Sequence, residues 1–86
     1  MKPNFADMTS EEKSKEKKEF AKRLAKRVKE ARLSKGLSQE ELANCAGYYR
    51  TYVGHIETAT YSPSSHTLWR LAKAMDVDPG DLLKGL

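Results

Sequence analysis

The sequence predicts an all-α domain of five helices, preceded by a charged helical extension. Apolar residues recur at three- and four-residue steps, which is the spacing of one buried helical face. Serine or threonine precedes glutamate by three residues at two helix starts, and glycine or proline stands where helices should stop. No segment has a pattern that predicts a strand, and a chain of 86 residues has room for one small core.

The chain begins with a segment that offers no buried face. Residues 1–8 lack periodicity, so we expect them to be disordered. Thr9 followed by Glu12 is a capping-box pattern, which predicts a helix start near Ser10. Residues 11–19 are polar on all sides, and we expect them to form a solvated helical extension that frays.

The first core-facing stripe defines where the folded domain starts. It consists of four apolar residues at helical spacing: Phe20, Leu24, Val28 and Ala31. The helix that carries them should stop at Gly36. We therefore divide the chain into a charged extension, residues 1–19, and a folded domain, residues 20–86.

Two short helices follow that must cross closely. Ser38 with Glu41 forms a second capping-box pattern at the start of helix two, and Gly47 ends that helix sharply. Helix three should span about residues 50–58. The apolar faces of the two helices consist of small or branched side chains: Leu42, Ala43, Ala46, Val53 and Ile56. This is the pattern of a helix-turn-helix, whose second helix can enter the major groove of DNA.

The remaining segments predict two more helices. Thr60–Ser65 should be a turn, because Pro63 prevents a helix from continuing. Helix four follows, with one apolar face made of Leu68, Leu71, Ala72 and Met75. Asp78 and Pro79 then form an N-cap and a first helical residue, which predicts helix five.

Charge is distributed unevenly along the chain. Residues 1–35 carry 12 lysines and arginines against 6 acidic residues, a net charge of +6, and residues 36–86 carry 4 against 6, a net charge of −2. A sequence pI near 9.3 favours a polyanionic partner, since neutralising phosphates releases counterions. A lysine-rich helix can equally be an ordinary solvated surface, so charge alone does not choose between these interpretations.

Several classes of function find no support in the sequence. No nucleophile–base pair or phosphate-binding glycine loop is evident, so we expect no enzyme, no cofactor and no small-molecule ligand. The spacings of Cys45, His55 and His66 fit no common zinc site, so we expect no metal. No apolar run approaches membrane-spanning length. A single cysteine, with no export signal, predicts a cytoplasmic protein.

The predicted outer face of helix three carries side chains that can bind bases. A helical wheel directs Thr51, His55 and Thr58 outward. Tyr52 lies near the edge of the buried side, and Arg50 flanks the helix start. Arginine there can donate to both acceptors of a guanine, and threonine can contact a base edge or a thymine methyl. An ordinary solvated face would suit these residues too, but the preceding helix and sharp turn favour recognition.

One charge in this region needs a partner. Glu57 falls on the inward flank of helix three, where an unpaired carboxylate would be costly. Arg32 flanks the apolar stripe near the end of helix one and could pair with it. Such a salt bridge would fix the packing of helix three rather than contact DNA.

These motifs together resemble the lambda repressor/Cro-like (XRE) helix-turn-helix family over about residues 20–84. The resemblance is carried by GLSQEELA, the Gly47 turn, IE at 56–57 and the spacing P-x-x-x-x-L-x-x-L-A. Within that family, YRTYVGHIE is similar to the controller proteins of restriction–modification systems. The resemblance implies a phosphate contact from Gln39, base contacts from Arg50, Thr51 and His55, a backbone-proximal Tyr52, and an interhelical salt bridge between Arg32 and Glu57.

The chain departs from the family pattern around helix three. Tyr49 stands where a short polar N-cap is usual. Thr58 and Ala59 replace a basic residue or asparagine followed by glycine, and the loop Thr60–Ser65 lacks basic residues. These departures predict either modest affinity for DNA or compensating contacts from the lysine-rich N-terminal region.

The leading hypothesis is a sequence-specific transcription regulator that binds double-stranded DNA as a homodimer on a two-fold operator. The candidate DNA-binding residues are Gln39, Arg50, Thr51, Tyr52, His55 and Thr58. Leu83 and Leu86 are the candidate dimer contacts, because a short terminal helix cannot bury all its leucines internally. The alternative is an XRE-fold protein-interaction module or antitoxin-type partner with weak or no independent DNA binding.

Overall fold

A computed structural model of the chain describes residues 5–86 as four α-helices and one short 3₁₀ helix, with no strand in that range. The α-helices are α1 (Ser10–Ser34), α2 (Gln39–Ala46), α3 (Tyr52–Glu57) and α4 (Ser65–Met75), and the 3₁₀ helix spans Pro79–Leu82. The all-α prediction is confirmed. The prediction of a fifth α-helix is wrong.

The last helix is a single 3₁₀ turn, Pro79–Leu82, because the backbone leaves helical geometry soon after it. Asp78 is the N-cap, and its carboxylate accepts from the Gly80 N–H at 2.8 Å. The Leu83 N–H then donates to the Gly80 carbonyl, which is the tighter bond of a 3₁₀ turn. Gly85 adopts a φ of 77°, a left-handed conformation that ends helical geometry.

The N-terminal extension and the folded domain share one continuous helix. Thr9 caps α1 by accepting from the Glu12 N–H at 3.1 Å, so the predicted start at Ser10 is confirmed. The expected disorder of residues 1–8 falls partly on residues 1–4, which lie outside the described range. In the described part, the Met8 N–H donates to the Phe5 carbonyl and closes a turn.

The core lies where α1, α2, α3 and α4 meet. Its buried side chains are Leu24, Val28, Leu42, Ala43, Ala46, Val53, Ile56, Leu68, Leu71, Ala72, Met75 and Leu82. Phe20, predicted to face this core, is instead 40% exposed. At 100° per residue a four-residue step drifts by about 40°, so Phe20 lies about 80° around the helix from Val28.

The caps of α2 set the position of α3. Ser38 and Glu41 form the predicted capping box, and the hydrogen bond from the Ser38 N–H lowers the pKa of the Glu41 carboxyl. Gly47 ends α2 with a φ of 82°, and a Cβ there would lie 2.7 Å from the Arg70 guanidinium. Arg70 donates from Nε to the Ala46 carbonyl at 2.9 Å, which ties α4 to the end of α2.

The helix predicted over residues 50–58 is shorter than expected. Arg50 and Thr51 lie in the turn before α3, and Thr51 occupies the N-cap position without a side-chain hydrogen bond. The Tyr52 N–H donates to the Tyr49 carbonyl at 3.0 Å. The chain therefore enters α3 through a backbone turn. The N-cap of α3 is Thr51, whereas the sequence predicted Tyr49, and the Thr51 side chain makes no capping hydrogen bond. Within residues 5–86, no helix is long and apolar enough to cross a membrane.

Candidate nucleic-acid interface

An open groove of about 530 Å³ lies between the start of α2 and the outer face of α3. Its lining consists of Gln39, Glu40, Arg50, Thr51, Gly54, His55 and Thr58. The structure thus brings together five of the six residues predicted to contact DNA. Arg50 and Thr51 stand at the entry to α3, and His55 and Thr58 follow towards its end.

Tyr52, the sixth predicted residue, does not line this groove. Its ring stacks on Tyr48 with centroids 4.6 Å apart and meets Tyr49 edge-on at 5.3 Å. Tyr61, from the loop after α3, approaches Tyr52 at 5.9 Å and His55 at 4.8 Å. These rings form an aromatic cluster beside the groove that restrains the loop against α3.

Arg32 and Glu57 form a bidentate ion pair beneath the groove. Arg32 Nε lies 2.7 Å from Glu57 Oε2, and Arg32 Nη2 lies 2.9 Å from Glu57 Oε1. Arg32 Nη1 also donates to the Leu37 carbonyl at 2.8 Å, which connects α1, the following loop and α3. The hydrogen bond with Glu57 raises the pKa of Arg32 despite its burial. The Arg32 guanidinium therefore stays charged and holds the C-terminal end of α3 through Glu57.

The ion pair extends to Gln39. The Gln39 side-chain amide donates from Nε2 to Glu57 Oε1 at 3.2 Å. Its Oε1 lies on the other side, where a Cβ added at Gly54 would approach it to 3.3 Å. Glu57 therefore orients a groove residue as well as pairing with Arg32, and Gly54 leaves room for that orientation.

The sequence did not indicate two features of this site. Glu40 lines the same groove as Arg50 and adds a carboxylate to it. Its position one residue after Gln39, in the first turn of α2, could have suggested this. Tyr61 contacts His55, and its backbone N–H and that of Thr60 both donate to the His55 carbonyl, at 3.1 and 2.9 Å. No local pattern indicates that contact, because it depends on the path of the loop.

The groove is sparsely charged for a surface that binds a polyanion. Among its described lining residues, Arg50 is the one side chain with a permanent positive charge, and Glu40 opposes it. Residues 5–86 contain no cluster of histidine, cysteine or acidic side chains that could hold a metal ion. The arrangement suits hydrogen bonding to a ligand, with an arginine, hydroxyl groups, an amide and an imidazole directed into one space.

Comparisons with known proteins place the chain among helix-turn-helix proteins. A family model described as a helix-turn-helix, HTH_3, matches residues 28–82. The ImmF control region 10 kDa protein of Bacillus phage phi105 is 40% identical over 57 residues, which cover 66% of this chain and 63% of that protein. The chain therefore spans less than two thirds of the length of this relative.

Two control proteins are also similar. Control protein C.BamHI of Bacillus amyloliquefaciens is 41% identical over 58 residues, which cover 66% of this chain and 72% of that protein. The crystal structure of the restriction-modification controller protein C.AhdI from Aeromonas hydrophila superposes with a TM-score of 0.73 at 37% identity. That match covers 76% of this chain and 94% of the other.

Proposed function

We propose that this chain, which belongs to the HTH_3 helix-turn-helix family of DNA-binding transcription regulators, is a sequence-specific regulator that reads the major groove with α3. In this proposal the protein is not an enzyme, and it binds double-stranded DNA in the cytoplasm. Its similarity to control proteins C.BamHI and C.AhdI favours a place in a restriction–modification system.

The observation that carries this proposal is the convergence of donors in one open groove. Arg50 and Thr51 lie at the N-terminal end of α3, where helix-turn-helix proteins contact base edges. Gln39 starts α2 and opens into the same groove, so it can contact a phosphate while the residues of α3 contact bases. His55 lies about one helical turn beyond Thr51, and Thr58 lies about two turns beyond it, so they extend this surface.

The proposal includes a homodimer on a two-fold operator. One helix of six residues offers few base contacts, and two copies double them at half-sites about one turn of DNA apart. Leu83 supports this assembly because it is 45% exposed beside the fully buried Leu82. Leu86 packs partly against the core and is the second candidate contact. An isologous interface of this kind would place both copies of α3 on one side.

The sparse charge of the groove supports a second candidate function. A groove lined by one glutamate and one arginine is less attractive to phosphate than the basic grooves of strong DNA binders. In this alternative the chain is an interaction module or antitoxin-type partner that retains the fold with weak or no independent DNA binding. A duplex-binding measurement across salt concentrations separates the two, since DNA binding weakens steeply as salt rises.

The proposal is tested with Arg50→Ala on a duplex selected from a random pool by the full chain. If Arg50 donates to both acceptors of a guanine, specific binding should weaken by about 1–3 kcal/mol, and binding to random duplex should change far less. Arg23→Ala is the matched control, because Arg23 is exposed on α1 outside the groove. Equal losses on both duplexes would make Arg50 a phosphate contact, and a wild-type chain that binds no duplex would favour the interaction module.

A further inference from the structure

A second cleft, of about 480 Å³, lies where the N-terminal half of α1 passes the loop after α3. Its lining from α1 is Lys17, Lys18, Ala21 and Lys22, and its lining from the loop is Thr58, Ala59, Thr60 and Ser62. None of these lining residues is acidic. The cleft combines three ammonium groups from one segment with hydroxyl groups from another.

The three lysines keep their charge available. Within residues 5–86 none of them forms an ion pair with a carboxylate. Glu16 and Glu19 lie about 100–160° around α1 from Lys17 and Lys18. Glu19 is only about 60° around α1 from Lys22, but the two side chains form no ion pair in the described structure. The positive charge of the cleft is therefore not neutralised locally, although other parts of the extension carry both signs.

The loop presents its hydroxyl groups in a fixed arrangement. Thr58 Oγ1 lies 2.8 Å from Thr60 Oγ1, and Thr58 Oγ1 donates to the His55 carbonyl at 3.2 Å. Ala59, between them, adopts a φ of 61°. Because Thr58 already donates to the His55 carbonyl, Thr60 must donate to Thr58, so both threonine protons are engaged within the loop. The lysine ammonium groups are therefore the donors that this cleft can offer to a DNA phosphate, and the loop forms the opposite wall.

The cleft adjoins the groove that α3 presents. Thr58 lines both cavities, so a strand that leaves the groove past the end of α3 next meets the lysines. We propose that this cleft holds a backbone phosphate of the same duplex that α3 reads, with Lys17, Lys18 and Lys22 supplying the charge that the loop lacks. This inference rests on the proposed function, and it assigns the extension a role in binding.

The occupant is a polyanion rather than a free phosphate ion. All three lysines are exposed, so the surrounding water screens each contact and a single ion would gain little. A duplex gains because each neutralised phosphate releases condensed counterions. The cleft should therefore contribute mainly to affinity and to its salt dependence, and little to base discrimination.

The test compares two variants that each lose three positive charges. The cleft variant is Lys17→Gln, Lys18→Gln and Lys22→Gln, and the matched control is Lys13→Gln, Lys26→Gln and Lys73→Gln, at exposed lysines outside the cleft. The plot of log affinity against log salt should flatten by about 0.9 for each phosphate that the cleft variant no longer neutralises. A change of 0.9 in this slope corresponds to roughly an eightfold weaker affinity at 0.1 M salt, relative to 1 M salt, for each such phosphate. The loss should be the same on selected and random duplexes. The control should change less, and arginine at the three cleft positions should restore binding.

Phosphate ethylation of the selected duplex provides a readout that long-range charge would not change. One phosphate per half-site should weaken wild-type binding when ethylated, and the cleft variant should be insensitive to that ethylation. Equal slopes for the cleft and control variants, or equal sensitivity at every phosphate, would overturn the inference. Arg50→Ala distinguishes a failure of this inference from a failure of the proposed function. If Arg50 is needed for specific binding but the three lysines are not, the proposed function stands and the inference about the cleft fails.

Discussion

Removing Arg32 should destabilise the domain far more than a surface ion pair would. Arg32 and Glu57 side chains are only 8% and 3% exposed, and their contact is bidentate at 2.7 and 2.9 Å. Arg32→Ala removes these two bonds and the bond to the Leu37 carbonyl, and it leaves Glu57 with only the Gln39 amide. A buried carboxylate without its cation is the costly product of this change.

The expected cost follows from that geometry. Breaking a buried, hydrogen-bonded pair by removing one partner costs about 3–5 kcal/mol, whereas an exposed pair contributes about 0–1 kcal/mol. In a domain of this size, each 1 kcal/mol shifts the midpoint of thermal unfolding by about 4–8 °C. Arg32→Ala should therefore lower the midpoint by more than about 12 °C. The double variant with Glu57→Leu should recover part of this loss, since it leaves no unpaired charge.

Urea unfolding followed by circular dichroism measures all four corners of this double-mutant cycle. We expect a coupling free energy of at least about 2 kcal/mol between the two positions. Leu33→Ala is a control for truncation near the end of α1, because Leu33 is exposed. A coupling energy below about 0.5 kcal/mol would refute the reasoning, since it would mean that solvent or Leu37 satisfies Arg32 without Glu57.

Two further predictions concern the loop and the assembly. Ala59→Gly should raise the free energy of unfolding in urea by up to about 1 kcal/mol, because Ala59 has a φ of 61°. Asp76→Gly, at a φ of 56°, should raise it by less, because aspartate tolerates that conformation better than alanine does. Equal gains would contradict the strain argument. Leu83→Asp should shift the sedimenting species from near twice 9.7 kDa towards the monomer, while Leu33→Asp, on exposed α1 surface, should not. A wild-type chain that stays monomeric above its DNA-binding concentration would contradict the proposed dimer.

The sequence predicted well those features that depend on neighbours within four residues. The Thr9 and Ser38 caps and the left-handed Gly47 follow from local hydrogen bonds and backbone freedom. The buried face of α4 follows from helical spacing. The family predicted from these motifs is confirmed by the match over residues 28–82.

The features that the sequence missed depend on contacts across the fold. Spacing alone placed Phe20 in the core, but the drift of a four-residue repeat carries it to the surface. The cap of the last helix was recognisable at Asp78, whereas its short length depends on how the backbone turns at Gly85. The packing of Tyr61 on His55 requires the path of the loop, which local patterns do not encode.

For the candidate site, the sequence could identify donors but not their arrangement. A helical wheel turns Thr51, His55 and Thr58 outward whether or not they share a groove with α2. Their convergence with Gln39 depends on the close crossing of α2 and α3, which the fully buried Ala43 permits. Roles in DNA binding for these residues remain predictions that the variants above test.

Gly54 gives a last prediction, because a glycine inside a helix normally lowers stability. Alanine there should favour the helix by about 0.5–1 kcal/mol. Its Cβ would lie 3.3 Å from Gln39 Oε1, which is tighter than ordinary van der Waals contact, so the Gln39 amide must shift by a few tenths of an ångström from the position in which Glu57 holds it. If Gln39 donates to a phosphate, Gly54→Ala should leave thermal stability equal or higher and weaken duplex binding by up to about tenfold, the equivalent of losing one charge-assisted hydrogen bond. In a Gln39→Ala background the same substitution should have almost no effect on binding. A loss that persists there would show that the methyl group obstructs DNA directly, and unchanged binding in both backgrounds would remove Gln39 from the interface.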